Sequence, residues 1–132
     1  MVGIVIVTHG DFGVSMMRTA ESILGRQEQA VALSLPPDWG LEDLQGALKE
    51  AFQAVDRGAG ALVLVDIPGG TPCNASLPFC LGPGREVLTG LSLPVLLESF
   101  LLRGSLPLGE LAAVVQEKGR QSLMLMSRRL RP

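Results

Sequence analysis

Two runs in this chain, Gly3-Ile-Val-Ile-Val7 and Gly60-Ala-Leu-Val-Leu-Val65, are apolar at every position after their glycine, and both stop abruptly at polar residues. A strand with one wet face alternates apolar and polar side chains, so strands without alternation belong in a sheet covered on both sides. Stripes at helical spacing lie between them. From Gly13, the residues Met16, Met17, Ala20, Ile23 and Leu24 recur on one helical face that Gly25 closes, with Asp11 placed to cap its start. Ala30 to Leu35 reads as a second strand, and Pro36-Pro37-Asp38 turns the chain into a helix carrying Leu41, Leu44, Leu48, Ala51, Phe52 and Val55 inward. Beyond Val65, Thr71-Pro72 opens a helix toward Leu81, which Pro78 should kink or shorten. Val87 to Leu91 supplies a fourth strand. Ser92 or Leu93 with Pro94 opens a helix through Arg103, and Leu108 to Lys118 forms another. The closing apolar run Leu123-Met-Leu-Met126 has the length of a strand. This alternation predicts an α/β fold: a doubly wound, mainly parallel open sheet with helices on both faces, residues 1–132 forming a single domain.

Composition narrows the function. With 132 residues, 47% hydrophobic and 18% charged, the chain can bury one core but not two. One Trp, no Tyr and a net charge of −2 leave neither a stacking platform nor a positive field, so nucleic acid is not expected as a partner. Arg120, Arg128, Arg129 and Arg131 are scattered along the last segment and read as a solvated end. Cys73 and Cys80 lie seven apart, roughly 10 Å along a helix, too far for a disulfide between them on that element. They read as small buried hydrophobes of a reducing compartment. No basic leader precedes the first strand, and the apolar stretch Leu91 to Leu102 is short and broken by Pro94 and Glu98, so a cytoplasmic location is expected.

Chemistry gathers where the two unbroken strands end. His9 is the only histidine and follows the first; Asp66 follows Val65 and leads into Ile67-Pro-Gly-Gly-Thr-Pro72. Right-handed crossovers put all strand carboxyl ends on one edge, and neighbouring strands lie roughly 5 Å apart, within reach of a hydrogen bond. A carboxylate on one ring nitrogen fixes the tautomer and frees the other for attack. Backbone N–H groups around Gly10, Gly69 and Gly70, with the Thr71 hydroxyl, suit the oxygens of a phosphoryl group. Each feature has a plainer explanation, because a lone histidine is commonly structural, Gly-Gly-Thr-Pro is common punctuation, and Asp66 can simply satisfy nearby backbone N–H groups. Neither a dinucleotide nor a nucleoside-triphosphate glycine pattern is present, nor a serine elbow, and one histidine with scattered carboxylates offers no metal site. No cofactor is expected.

Taken together, Gly3-Ile-Val-Ile-Val-Thr-His-Gly10 and Leu62-Val-Leu-Val-Asp-Ile-Pro-Gly-Gly-Thr-Pro-Cys-Asn-Ala75 resemble the active-site strand ends of the mannose-type enzyme IIA of the bacterial phosphoenolpyruvate:sugar phosphotransferase system. The resemblance covers nearly the whole chain. It continues through Gly90-Leu-Ser-Leu-Pro94 and Glu98, similar to a G-x-N-x-P-x-L-x-E stretch with Ser92 in place of Asn. It implies that His9 accepts phosphate from the phosphocarrier HPr and passes it to a histidine of enzyme IIB, that Asp66 orients the ring, and that Thr71 lies by the phosphoryl group. Indirect association with membrane permease subunits follows, as does a homodimer in which a C-terminal strand, here Leu123 to Met126, crosses to the partner's sheet. Pro78 departs from the pattern, and the 132 residues hold no IIB domain, so the acceptor is expected on a separate chain. Two other classes use the same residues: a non-catalytic interaction module, and a small-molecule enzyme with His9 and Asp66 as an acid–base pair. The second needs a deep pocket, whereas a relay needs an accessible histidine.

Overall fold

The computed structural model describes residues 1–132. In chain order these are β1 (Gly3–His9), α1 (Phe12–Leu24), β2 (Ala30–Leu35), α2 (Leu41–Val55), β3 (Ala61–Val65), α3 (Thr71–Ser76), a 3₁₀ turn (Leu77–Cys80), β4 (Arg85–Leu88), α4 (Leu93–Leu102), α5 (Leu108–Ser122) and α6 (Met126–Arg129). The sheet has the order β2-β1-β3-β4, and every pairing is parallel. Strands without alternation are explained by the layers. Val5 and Val7 of β1, with Val63 and Val65 of β3, face α2 and α3, where Leu44, Leu48, Phe52 and Ala75 meet them. Ile4 and Ile6, with Leu62 and Leu64, face the other layer, packing against Ala20 of α1, Leu96 and Phe100 of α4, and Leu111 and Val115 of α5. Each such side chain, removed from water, stabilises the fold by about 1.5–3 kcal/mol, so a polar residue on either face of β1 or β3 would be costly.

Several boundaries differ from the sequence reading, each for a local reason. The fourth strand is Arg85–Leu88 rather than Val87 to Leu91, because Gly90 turns at φ +80° and its N–H bonds the Asp66 carbonyl instead of continuing the ladder. Asp11 occupies the cap position of α1 without a side-chain bond there. The Thr8 hydroxyl takes that role, accepting from the Gly13 N–H at 3.1 Å. Pro78 does shorten α3: it has no N–H for the α ladder, and the chain tightens into the 3₁₀ turn. Ser92 opens α4 by accepting from the Val95 N–H, and α5 runs one turn beyond Lys118. Leu123–Met126 is not a strand; Leu123 to Leu125 lie outside regular structure and Met126 begins α6. A strand needs a neighbour for its N–H and C=O groups, and no strand of this chain pairs with the run. Both cysteines are free, Cys73 buried and Cys80 partly so. No helix is long and apolar enough to cross a membrane.

Candidate functional site

The chain leaves β1 toward β2 on one side and reaches β3 on the other, so the reversal of strand order falls between β1 and β3. Open α/β sheets form a crevice at such a point, outside the carboxyl ends of the strands. His9 is the last residue of β1, and Asp66 directly follows the last residue of β3.

A single carboxylate oxygen holds the histidine twice. Asp66 Oδ2 accepts from the His9 backbone N–H at 2.9 Å and lies 2.7 Å from His9 Nδ1, while Oδ1 accepts from the Ile67 N–H at 3.0 Å. Burial alone would raise the Asp66 pKa, but hydrogen bonds from the His9 backbone, the His9 ring and the Ile67 backbone outweigh it and hold the carboxyl below its ordinary 3.8. An ionised carboxylate can only accept, so Nδ1 is the donor, and in the neutral imidazole Nε2 then keeps its lone pair. The His9 side chain is 47% exposed and that of Asp66 9%. The carboxylate is thus sheltered and the imidazole half exposed.

The surrounding turns use glycine in two ways. Gly10 and Gly69 sit at φ +59° and +77°, the left-handed region that side chains resist. Gly70 has an ordinary φ of −81°, but a Cβ there would lie 2.7 Å from His9 Cε1. Thr71 is the first residue of α3 and is half-buried. The structure therefore brings His9, Asp66 and Gly70 into contact, and sets Gly10, Gly69 and Thr71 in the turns directly adjoining them. Two residues escaped the sequence reading. Thr8 anchors the start of α1 beside His9, and Asn74 holds the glycine turn, its Nδ2 donating to the Gly69 carbonyl at 3.1 Å and its N–H to the Gly70 carbonyl at 2.9 Å. The signal for Asn74 was an amide side chain one turn inside a helix that starts at a glycine pair.

The loops at this edge carry Asp11, Asp38 and Asp66 and no lysine or arginine over residues 10–12, 36–40, 66–70 and 89–92. They also expose apolar side chains: Phe12, Trp39 and Ile67 are 44%, 39% and 52% accessible. Of two surface cavities, one lies at the β4 end of this edge, lined by Thr89, Gly90, Ser92 and Arg120, and the other at Val2, Arg103 and Leu106; neither includes His9 or Asp66. No group of three or more His, Cys, Asp or Glu side chains converges on a point.

Residues 3–116 match the family model EIIA-man, described as PTS system fructose IIA component. The chain belongs to the mannose-type enzyme IIA family. As such it is a phosphocarrier component of the sugar phosphotransferase system. It is 31% identical over 131 residues to the PTS system fructose-specific EIIA component of Bacillus subtilis, covering 98% of this chain and 90% of that one. It is 33% identical over 124 residues to the mannose-specific EIIAB component of Escherichia coli, spanning 92% of this enzyme IIA but only 38% of that longer protein. Among solved structures, the phosphotransferase system component EIIA from Streptococcus agalactiae superposes with a TM-score of 0.89 at 29% identity, covering 97% and 99% of the two chains. The mannose/sorbose-specific IIA subunit from Enterococcus faecalis gives 0.83 at 25%, covering 93% and 92%. This mannose-type enzyme IIA therefore shares its relatives' fold over almost its full length.

Proposed function

We propose that this chain is a phosphohistidine relay in which His9 Nε2 accepts a phosphoryl group from phospho-HPr and passes it to a histidine of a separate enzyme IIB. The observation that carries this reading is a half-exposed imidazole whose other nitrogen is bound to a sheltered, ionised carboxylate. In the forward step, Nε2 attacks phosphorus in line, the new N–P bond forms as the donor's N–P bond breaks, and the donor imidazole keeps the electron pair. Ring charge that develops is met at Nδ1–H by Asp66. Backbone N–H groups of the turns at Gly10, Gly69 and Gly70, with the Thr71 hydroxyl, receive phosphoryl oxygens. With no cationic side chain in the edge loops, the remaining countercharge comes from the partner protein, and the exposed Phe12, Trp39 and Ile67 suit a protein surface as donor. A small-molecule acid–base enzyme would bury its histidine in a pocket, and the 47% exposure of His9 speaks against that alternative.

On the same reading the protein works in the cytoplasm beside the membrane permease subunits of its system, with residues 1–132 acting as one domain. It forms a homodimer. Leu123, Met124, Leu125 and Met126 are each more than half exposed, β4 pairs on one side only, and a second copy of this run is suited to complete that edge.

The test is incubation with phosphoenolpyruvate, enzyme I and HPr, followed by assay for acid-labile, base-stable phosphate. Wild type should label and His9→Ala should not, because the chain has no other histidine. An unlabelled wild type, or a His9→Ala protein that labels equally, overturns the relay.

A further inference from the structure

Gly70 stands at the cap of α3 with φ −81° and ψ 171°, angles that any residue adopts. Its backbone therefore gives no reason for glycine. Space does. A Cβ built there would lie 2.7 Å from His9 Cε1, 3.4 Å from Nε2 and 3.4 Å from Ile67 Cγ1, wedged between the ring edge and a neighbouring side chain. Gly69 next to it shows the opposite pattern, a left-handed φ of +77° with open space where a Cβ would go.

We propose that Gly70 is a positioning residue: its bare Cα forms the wall against which the His9 ring rests, and that clearance keeps Nδ1 on Asp66 and Nε2 turned to the incoming phosphorus. Which side would yield to an added methyl follows from how each is held. The Gly70 backbone is pinned by Asn74, which bonds both glycine carbonyls, whereas the ring is half exposed and tethered through one ring nitrogen. The ring gives way. It swings toward solvent, the Nδ1 bond to Asp66 breaks, and the single tautomer is lost, while the turn keeps its shape. This role rests on the reading of His9 as phosphoryl carrier only for its kinetic consequence; the ring geometry is measurable without it.

The experiment compares Gly70→Ala with Gly69→Ala in the full chain, labelled with ¹⁵N in the imidazole. In the neutral form of the ring, the wild-type nitrogens should show one protonated Nδ1 and one bare Nε2. Gly70→Ala should melt close to wild type, lose that signature in favour of a tautomer mixture, and accept phosphate at least 10-fold more slowly, both from phospho-HPr and from phosphoramidate. The small donor separates a misplaced ring from a spoiled protein interface. Gly69→Ala should melt lower while keeping the ring signature. Wild-type ring signals in a folded Gly70→Ala overturn the proposal, whatever its rate; slow transfer with unaltered ring signals would move the role of Gly70 from the ring to the phosphoryl group. If wild type takes up no phosphate, the relay fails, yet the nitrogen spectra still decide whether Gly70 sets the ring.

Discussion

At the amino edge of the sheet the Arg103 guanidinium, 3% exposed, donates to the Gln29 carbonyl at 3.1 Å, the Glu28 carbonyl at 2.7 Å and Gln27 Oε1 at 3.1 Å, and lies over the Phe100 ring. At the carboxyl edge the half-exposed His9 ring makes one hydrogen bond, from Nδ1 to Asp66, and Nε2 makes none. Both are charged or chargeable groups stitching the chain to itself across the sheet. The difference is spare capacity: Arg103 commits its two terminal nitrogens to residues 27–29 and the Val2 carbonyl, whereas His9 is held by one ring nitrogen and the other makes no bond. Chemistry needs the second arrangement, and stability is served by the first.

The strongest way to break this contrast is Arg103→Met, which keeps apolar bulk against Phe100 but orphans the Glu28 carbonyl and leaves the Gln29 carbonyl only the Ile4 N–H. Unfolding stability should fall by about 3 kcal/mol, read as a lower urea midpoint with unchanged slope. Phosphate uptake measured where the variant remains folded should stay within about twofold of wild type, since nothing at the amino edge touches the reacting atoms. A large loss of uptake with unchanged stability would show that the two edges are not separable as described.

Asp66→Asn probes the other side. The amide still fits between the His9 N–H, the ring and the Ile67 N–H, but it carries no charge and can present an NH₂ group to Nδ1, favouring the wrong tautomer. Transfer should slow about 10²-fold, equivalent to about 2.7 kcal/mol of barrier, with a smaller change in stability than Arg103→Met. Single-turnover labelling by phospho-HPr measures it, and an unaltered rate would remove Asp66 from the mechanism.

These two edges were not equally legible in the sequence. His9 and Asp66 stood out because each interrupts an unbroken apolar strand, and the parallel topology that such strands demand places both ends on one edge. The layer architecture followed from the same runs. Arg103 carried no such mark: it closes a leucine-rich helix like any surface arginine, and its partners lie 74 to 101 residues away along the chain. Thr8 was hidden similarly, since Asp11 is the better cap by residue type and only the three-dimensional path of the turn gives Gly13 to Thr8. Leu123–Met126 differs again: its apolar length suits a strand, but within one copy no neighbour bonds it, so the run is not a strand there. Gly70 was seen as part of a phosphoryl cradle, while its steric relation to the ring depends on side-chain placement that no spacing rule encodes.

The smallest expected effect sharpens the contrast among carboxylates. Asp56 closes α2 at the amino edge, its Oδ1 accepting from the Gly58 and Gly60 N–H groups at 2.8 and 3.0 Å and its Oδ2 from Arg85 Nη1 at 2.6 Å. The Gly58 N–H, followed by Arg85, lowers its pKa below the ordinary 3.8 against the opposing effect of burial. A carboxyl depressed on folding stabilises the native state fully above its unfolded value and loses that contribution as pH falls through the folded one. Asp56→Asn keeps an acceptor for the two glycines but discards the charge facing Arg85, so it should cost about 0.5–1 kcal/mol at neutral pH. Urea titrations of wild type and variant should converge as pH falls below the ordinary 3.8 and through the lower folded value, where the wild-type carboxylate itself protonates. Phosphate uptake at pH 7 should be unaffected, because Asp56, unlike Asp66, has spent its acceptors on the fold. A gap that widens in acid would mean that the Asp56 carboxyl is raised rather than lowered by folding, and would reverse its place in the comparison.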